Sequence, residues 1–564
     1  MNRKDFHQLA ARGPLLLDAV PTAGCGAREC PEKWLLEHFE VAASALVSFR
    51  DAGCDIVRCP SAGANRLRLG AFGLASQTGE INRELMRRCR ATLGSFPVFG
   101  TCSIIGRRIE PFGDLDFEEA VACYGEQAKA LADGGAEGFI VAAMNDIQEA
   151  RAALIALREL GDFPVIVEMS IGPQGRTQGG TDPVSALVTL QSLKADAVGF
   201  GAGDPGLAIA SIIAAVKPFA TVPLGAVPAT RDSGPEAYAA LGPALVRAGA
   251  NLVAGDRHAT AEHMAALGGR ICGEAVRPAL KKSLSALSSC RSTLFPGPEH
   301  PFAIVGERIN PTGKKQLQAS LREGSLDMVQ QFAIEQEQRR AAVLDVNMGL
   351  SGIDEMAMML RAVGLLSRLS PLPLCIDTTR PEVAEAALRR YPGRALVNSV
   401  SGERERIERT LPAAARYGAM FIVLPLTDAG IPATVRERIA VIDTILAAAA
   451  SYGCTVDDIV VDGLVMTISS NPEAARDTLD LISWCSQTLQ ANTIVGLSNV
   501  SFGMPERQWI NGAFLGMAMG RGLTMAIANP SSDSIMATVQ ACNALRGHDA
   551  GMLLRRGNFS GGPS

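Results

Sequence analysis

"RAGANLVAGDRHAT", Arg247–Thr260, contains one complete junction of the kind that sets the fold. A glycine ends an Ala- and Leu-rich amphipathic stretch, a short apolar run follows, and the run stops abruptly in polar side chains. Glycine at that place suits a left-handed helix cap feeding directly into a buried strand. The same junction recurs in "RDAGCDIV", "DGGAEGFIV" and "RYGAMFIV". Working outward, sixteen short Val-, Ile- and Leu-rich runs alternate with helical stretches, the pattern of repeated βα units. The first eight begin at Leu15, Asp55, Val98, Gly138, Pro164, Ala197, Val222 and Leu252, and the next eight at Ala303, Val343, Leu372, Ala395, Met420, Ile459, Thr493 and Ala526. Eight parallel strands close one barrel. The chain is therefore read as α/β, with two tandem (β/α)8 TIM barrels over 1–280 and 301–545; a doubly wound open sheet is the alternative. The Ser- and Pro-containing stretch 281–300 reads as a linker and 546–564 as a flexible tail.

Composition narrows the function classes. With 564 residues, 47% hydrophobic and 20% charged, the chain is long enough for two large cores. No apolar run is long and uncharged enough to span a membrane, and the opening "MNRKDFHQLAARGPLLLDAV" lacks the apolar centre and cleavage site of a signal peptide, so a cytoplasmic location is expected. Thirteen cysteines without a CxxC pair read as reduced, buried thiols. A net charge of −5 and 5% aromatics give nucleic acid little to bind. Small molecules and proteins are the expected partners.

Catalytic groups of such barrels sit at the C-terminal strand ends. In the second set these ends carry Glu307 and Asn310, Asn347, Asp377, Asn398 and Ser399, Asp462, Ser498 and Asn499, and Asn529. This mouth of amides and carboxylates has no His, and Cys375 lies inside a strand, so neither a zinc set nor a His-based triad can be assembled there. A flat, polar ligand with many hydrogen-bonding groups suits it. A pterin ring is one: its 2-amino group and ring N–H match a carboxylate, and its carbonyl and ring nitrogens match amides. The competing reading makes these residues helix caps and turn formers.

The motifs "GERINPTGKK", "LDVNMG", "IDTTRPEV", "YPGRALVNSVSGE", "VVDGL" and "VGLSNVSFGMPERQWINGAFL", in this order, resemble the folate-binding barrel of cobalamin-dependent methionine synthases. Related barrels occur in methyltetrahydrofolate:corrinoid methyltransferases and, more distantly, in dihydropteroate synthase, whose closing basic motif "AIANP" does not supply. The resemblance implies that Asp377, Asn398 and Asp462 hold the pterin ring and that Asn499 is catalytic, lying beside N5, the atom that carries the methyl group. Glu307, Asn310 and Asn347 lie on matching motifs and are also expected to line the folate site. In this family the methyl acceptor is cob(I)alamin. No DxHxxG-like motif is present, so the corrinoid is expected on a separate partner protein.

Upstream, "LLLD", "DIVRCPSAGANRLRLGAFGL", "GRTQGGTDP" and "TAEHM" resemble the homocysteine-binding barrel that precedes the folate barrel in those enzymes. That family holds zinc with three cysteines. Here their places read Gly201-Ala202, Asp256 and Arg257, the family's strand-four acid and threonine read Ala142 and Ala143, and a strand-two pair reads Cys59-Pro60. No zinc is expected, because a metal-bound thiolate pathway needs those soft ligands. A new metal site would have to use Asp256 and His258 with Asp204, His263, Cys25 or Cys30. Alternatively Arg257, with Arg58, Arg176 and Arg231, binds a carboxylate substrate, or the arginine serves a structural ion pair with Asp256 or Asp232. A phosphate cradle in "GFGAGDPG" is a weaker reading.

The resemblance implies a one-carbon methyltransferase working between N5 of tetrahydrofolate and a separate corrinoid protein, in a direction the sequence leaves open. The first barrel is then re-tooled for a non-homocysteine methyl compound or serves in docking. A methionine synthase fragment with an atypical homocysteine site, and a pterin-binding scaffold without turnover, are the alternatives. Homo-oligomerisation is compatible with either.

Overall fold

A computed structural model describes residues 1–18, 29–202, 208–230, 233–280 and 282–548. Cys25, Asp204, Arg231, Asp232 and the tail from 549 lie outside the described residues. The chain divides into two compact units, Met1–Lys281 and Lys282–Ser564.

In the first unit, β1 (Leu15–Leu17), β2 (Val57–Arg58), β3 (Val98–Cys102), β4 (Phe139–Met144), β5 (Val165–Ile171), β6 (Ala197–Ala202), β7 (Leu224–Val227) and β8 (Leu252–Ala254) form one eight-stranded sheet. Each strand pairs in parallel with the next, and β1 pairs with β8. A parallel bridge from Leu17 to Ile56 completes the ring. The second unit opens with a hairpin, β9 (Leu287–Ser288) and β10 (Thr293–Leu294). Its barrel comprises β11 (Ala303–Ile309), β12 (Val343–Asn347), β13 (Leu374–Asp377), β14 (Leu396–Ser401), β15 (Met420–Leu424), β16 (Ile459–Asp462), β17 (Asn492–Ile494) and β18 (Met525–Ala528). There β11 pairs with β18, and the bridge Gly496–Ile527 completes the circuit. Both units are (β/α)8 barrels, and the open-sheet alternative is set aside.

The glycine junctions act as read. Gly53, Gly135, Gly249 and Gly418 have φ of +87°, +102°, +122° and +66°. An L side chain would be strained in that left-handed backbone, whereas glycine turns the chain from helix to strand without that cost.

The floor of each barrel is filled by the segment just ahead of its first strand. In the first unit the helix Arg3–Arg12 places Phe6 and Ala10 in one cluster with Leu15, Ile56, Phe99, Ile140, Ile166 and Leu252. In the second unit the stretch read as a linker does this work. Leu287 is fully buried among Val305, Val343, Leu396, Met420, Val460 and Met525, which sit in the early part of their strands. Arg394 secures it, donating to the carbonyls of Leu284 and Ala286 while pairing with Asp458 at 2.6 Å. Residues 282–300 are thus built into the second barrel, because a buried leucine and a saturated arginine outweigh the loop character of the serines. Burying Leu287 contributes about 2 kcal/mol.

Candidate functional site

The C-terminal ends of β11 to β17 deliver a ring of polar side chains. Parallel register sets Asn347 opposite Asp377, and Asp377 opposite Asn398, on adjacent strands. Asn347 Nδ2 donates to Asp377 Oδ2 at 2.9 Å, and Asn310 Nδ2 approaches the same oxygen at 3.5 Å. Their amide oxygens are already engaged: Asn347 Oδ1 accepts from Gly349 N and Asn310 Oδ1 from Thr312 N. Each of these asparagines is therefore a turn former whose remaining amide end is aimed at one carboxylate. Asp462 is similar, with Oδ1 accepting from Leu464 N at 2.8 Å.

One residue of this ring escapes the strand-end rule. Asp345 precedes Asn347 by two positions, which puts both on the same face of β12. It is 2% exposed and accepts from Asn398 Nδ2 at 3.4 Å, beneath the Asp377–Asn398 pair. The alternation of "LDVN" carried the signal, but an acid inside an apolar run is not at a strand end.

Burial dominates the electrostatics. Desolvation pushes Asp345 well above the usual carboxylate range, with the nearby charge of Asp377 adding to it. It also raises Asp377, against the help of the Asn347 hydrogen bond. Asp462 is raised to about 6, again by burial, and its Leu464 hydrogen bond offsets only part of that. Glu307 is raised by burial although Lys314, Ser498 and Arg507 favour its charged form. A set of buried carboxylates held in this state favours a ligand that supplies N–H donors.

Not all of the expected residues interlock. Glu307 meets Ser498 at 3.4 Å. Asn499 lies in the turn Leu497–Asn499 after β17, exposed, its carbonyl accepting from Phe502 N. Its side chain makes no hydrogen bond to the described residues, so its amide is available at the mouth.

In the first barrel the mouth is differently occupied. Arg58 is buried and meets Glu168 through two hydrogen bonds, 3.0 and 2.8 Å, while Asp18 lies 3.4 Å from its Nε and accepts from its backbone N–H. The reading in which Arg58 takes a substrate carboxylate is thereby corrected: Glu168 occupies both of its terminal nitrogens. Desolvation raises Asp18 to about 7 despite Arg58. Arg176 is exposed, donates to the Gly180 carbonyl and lies 3.9 Å from Asp182. Asp256 accepts from Thr230 and from His258 N, tying the loop after β7 to the turn after β8. His263 completes a capping box with Thr260 and contacts the Ser233 carbonyl, the structural role weighed for it. Among the described residues no three His, Cys, Asp or Glu side chains are grouped to hold a metal ion. Among the described residues, Asp256 and Arg257 stand where the resemblance places two of the family's zinc cysteines, and neither offers a thiolate.

Comparison with known proteins joins the two halves. A homocysteine S-methyltransferase family model matches residues 15–271, and a pterin binding enzyme model matches residues 306–529. The two modules stand in tandem, the first over the first unit and the second over the second. The chain is similar to methionine synthases: it is 26% identical over 523 residues to that of Mycobacterium leprae (strain TN), covering 85% of its own length and 43% of the relative's. It is 25% identical over 522 residues to that of Mycobacterium tuberculosis (strain ATCC 25618 / H37Rv), covering 86% and 44%. It thus spans less than half the length of these relatives. Among solved structures it is similar to the metallated homocysteine methyltransferase MmuM from Escherichia coli, at 19% identity and TM-score 0.40, over 47% of this chain and 98% of that one. No helix among the described residues is long and apolar enough to cross a membrane.

Proposed function

We infer that the second barrel binds a reduced folate and moves a methyl group between its N5 and the cobalt of a corrinoid carried on a separate protein. The observation that carries this reading is Asp377, held by Asn347 and Asn310 on one oxygen and flanked by Asn398 above the buried Asp345. Asp377 and Asp462 would take the ring N–H and 2-amino donors of the pterin, and Asn398 its acceptors. A corrinoid carried by the partner would supply the electron pair for the methyl group. As the N5–CH3 bond breaks, N5 keeps its pair and must gain a proton or a strong hydrogen bond. An amide suits that position, since Asn499 donates to a bare nitrogen and accepts from N5–H.

For the first barrel, the family's thiol chemistry is not supported by the residues at its mouth, and a re-tooled substrate or a docking role fits better. The test is direct: mix the purified chain with methyltetrahydrofolate and cob(I)alamin and follow the absorbance change of cobalamin methylation. No spectral change, together with no folate binding by calorimetry, would overturn the reading; folate binding without transfer to any corrinoid would favour a scaffold.

A further inference from the structure

A cavity of about 320 Å³ opens in the first barrel between the loops after β3, β4 and β5. Its wall includes Arg108, Asn145, Asp146, Glu149, Gln178 and Gly179. It shares no residue with the Asp18–Arg58–Glu168 group or with Asp256, so it is separate from the groups described above. The size lies at the lower end for small-molecule sites, which points to a metabolite rather than a cofactor.

The polar groups of the wall are arranged for an ammonium at one end. Asp146 caps the helix Ile147–Leu160 with Oδ1 alone, accepting from Gln148 N and Glu149 N. Glu149 likewise uses Oε1 alone, for Ile105 N and the Tyr124 hydroxyl. The second oxygen of each carboxylate has no hydrogen-bond partner among the described residues. Gly179 keeps the space before Asp146 open, because a Cβ there would stand 2.8 Å from Oδ2. Asn145 donates to Gln178 at 3.0 Å, leaving its own oxygen and the Gln178 amide hydrogens to a ligand. Arg107 is taken by Asp114, whereas Arg108 makes no ion pair among the described residues; burial raises Asp146, and Arg108 lies close enough to offset part of that.

Backbone strain marks the same spot. Ala143, exposed at the mouth end of β4, has φ +56°, in a bulge between Val141 and Met144. Left-handed backbone is strained for an alanine, and such strain gathers at functional sites. Here it redirects the chain so that Asn145 and Asp146 line the cavity.

We propose that this cavity binds a small aliphatic amine with a carboxylate at its other end, the ammonium between Asp146 and Glu149 and the carboxylate on Arg108. The wall sets Arg107 and Arg108 against Asp146 and Glu149, with Arg107 turned to Asp114, so each end of such a ligand meets an opposite charge. This site would give the re-tooled first barrel its substrate class. It is tested without folate or corrinoid, so its failure leaves the methyl-transfer reading standing.

The experiment is calorimetric titration of the full chain with a series of straight-chain amino acids of increasing length, with N-methylglycine, methylamine and N-acetylglycine. Amines with a carboxylate should bind, and N-acetylglycine should not. Asp146→Asn preserves the helix cap and removes only the charge, so it should keep the melting temperature and weaken binding by about tenfold or more. Arg108→Gln should weaken the amino acids and leave methylamine unchanged. Failure of every amine to bind, or equal binding by Asp146→Asn, overturns the proposal.

Discussion

Asn347 and Asp377, last residues of neighbouring strands, are joined by a 2.9 Å hydrogen bond that spends the donor of one on a single oxygen of the other. The remaining carboxylate oxygen is oriented by that bond and left for a ligand. A charge-assisted hydrogen bond of this type is worth about 1.5–3 kcal/mol. Asp377→Asn should therefore weaken methyltetrahydrofolate about tenfold to a hundredfold in a calorimetric titration. Asn347→Ala should weaken it less, since Asn310 still approaches the same oxygen.

Asn499 tests catalysis apart from binding. Its side chain is exposed and bonded to nothing described, so Asn499→Ala should leave the melting temperature unchanged. Methyl transfer to cob(I)alamin should fall by about a hundredfold, the usual cost of losing one polar group aimed at developing charge. Folate affinity should change little. An unaltered rate would remove Asn499 from the chemistry.

A pH dependence follows from Asp462. Its folded value of about 6 lies above the ordinary 3.8, so the free protein holds this proton at pH 5 and has lost it at pH 7. Ring N–H donors bind the ionised form and pull the value down again. Folate affinity should accordingly rise with pH up to about 6 and then level, with a slope of at most about tenfold per pH unit. Titrations at pH 5 in buffers of different ionisation enthalpy should show proton release that vanishes near pH 8. The apo barrel should show the opposite trend through this group, losing stability as pH rises from about 4 to about 6.

Arg58 carries a stability prediction. Replacing it by Met leaves Glu168 charged and buried without a partner, a change that costs about 3–5 kcal/mol. Arg58→Met should lower the urea midpoint of the first barrel sharply, followed by circular dichroism. The double variant Arg58→Met with Glu168→Met should recover part of the loss, because the Glu168 charge is gone while Asp18 keeps the backbone N–H at position 58.

All sixteen strands of the two barrels were legible because an apolar run marks each unit locally, and at several of them a positive-φ glycine closes the preceding helix. The hairpin Leu287–Leu294 was not, since its strands are two residues long and sit among serines; only the burial of Leu287 shows its purpose. At the mouth, Asn347 and Asp377 could be found from their place at strand ends, whereas Asp345 is hidden inside "LDVN". The partner of Arg58 could not be read at all. Glu168 lies 110 residues away, and only closure of the ring brings the two together.

The corked floors bear on how this molecule can be taken apart. Each stopper is encoded ahead of the strands it seals, so a gene fragment starting at Lys282 carries its own, while one starting at Pro301 begins with the bottom of its cylinder unstoppered. Anyone wishing to express the C-terminal half alone, or to graft it onto another N-terminal half, should cut in front of Leu284 and keep the short hairpin with the half it closes.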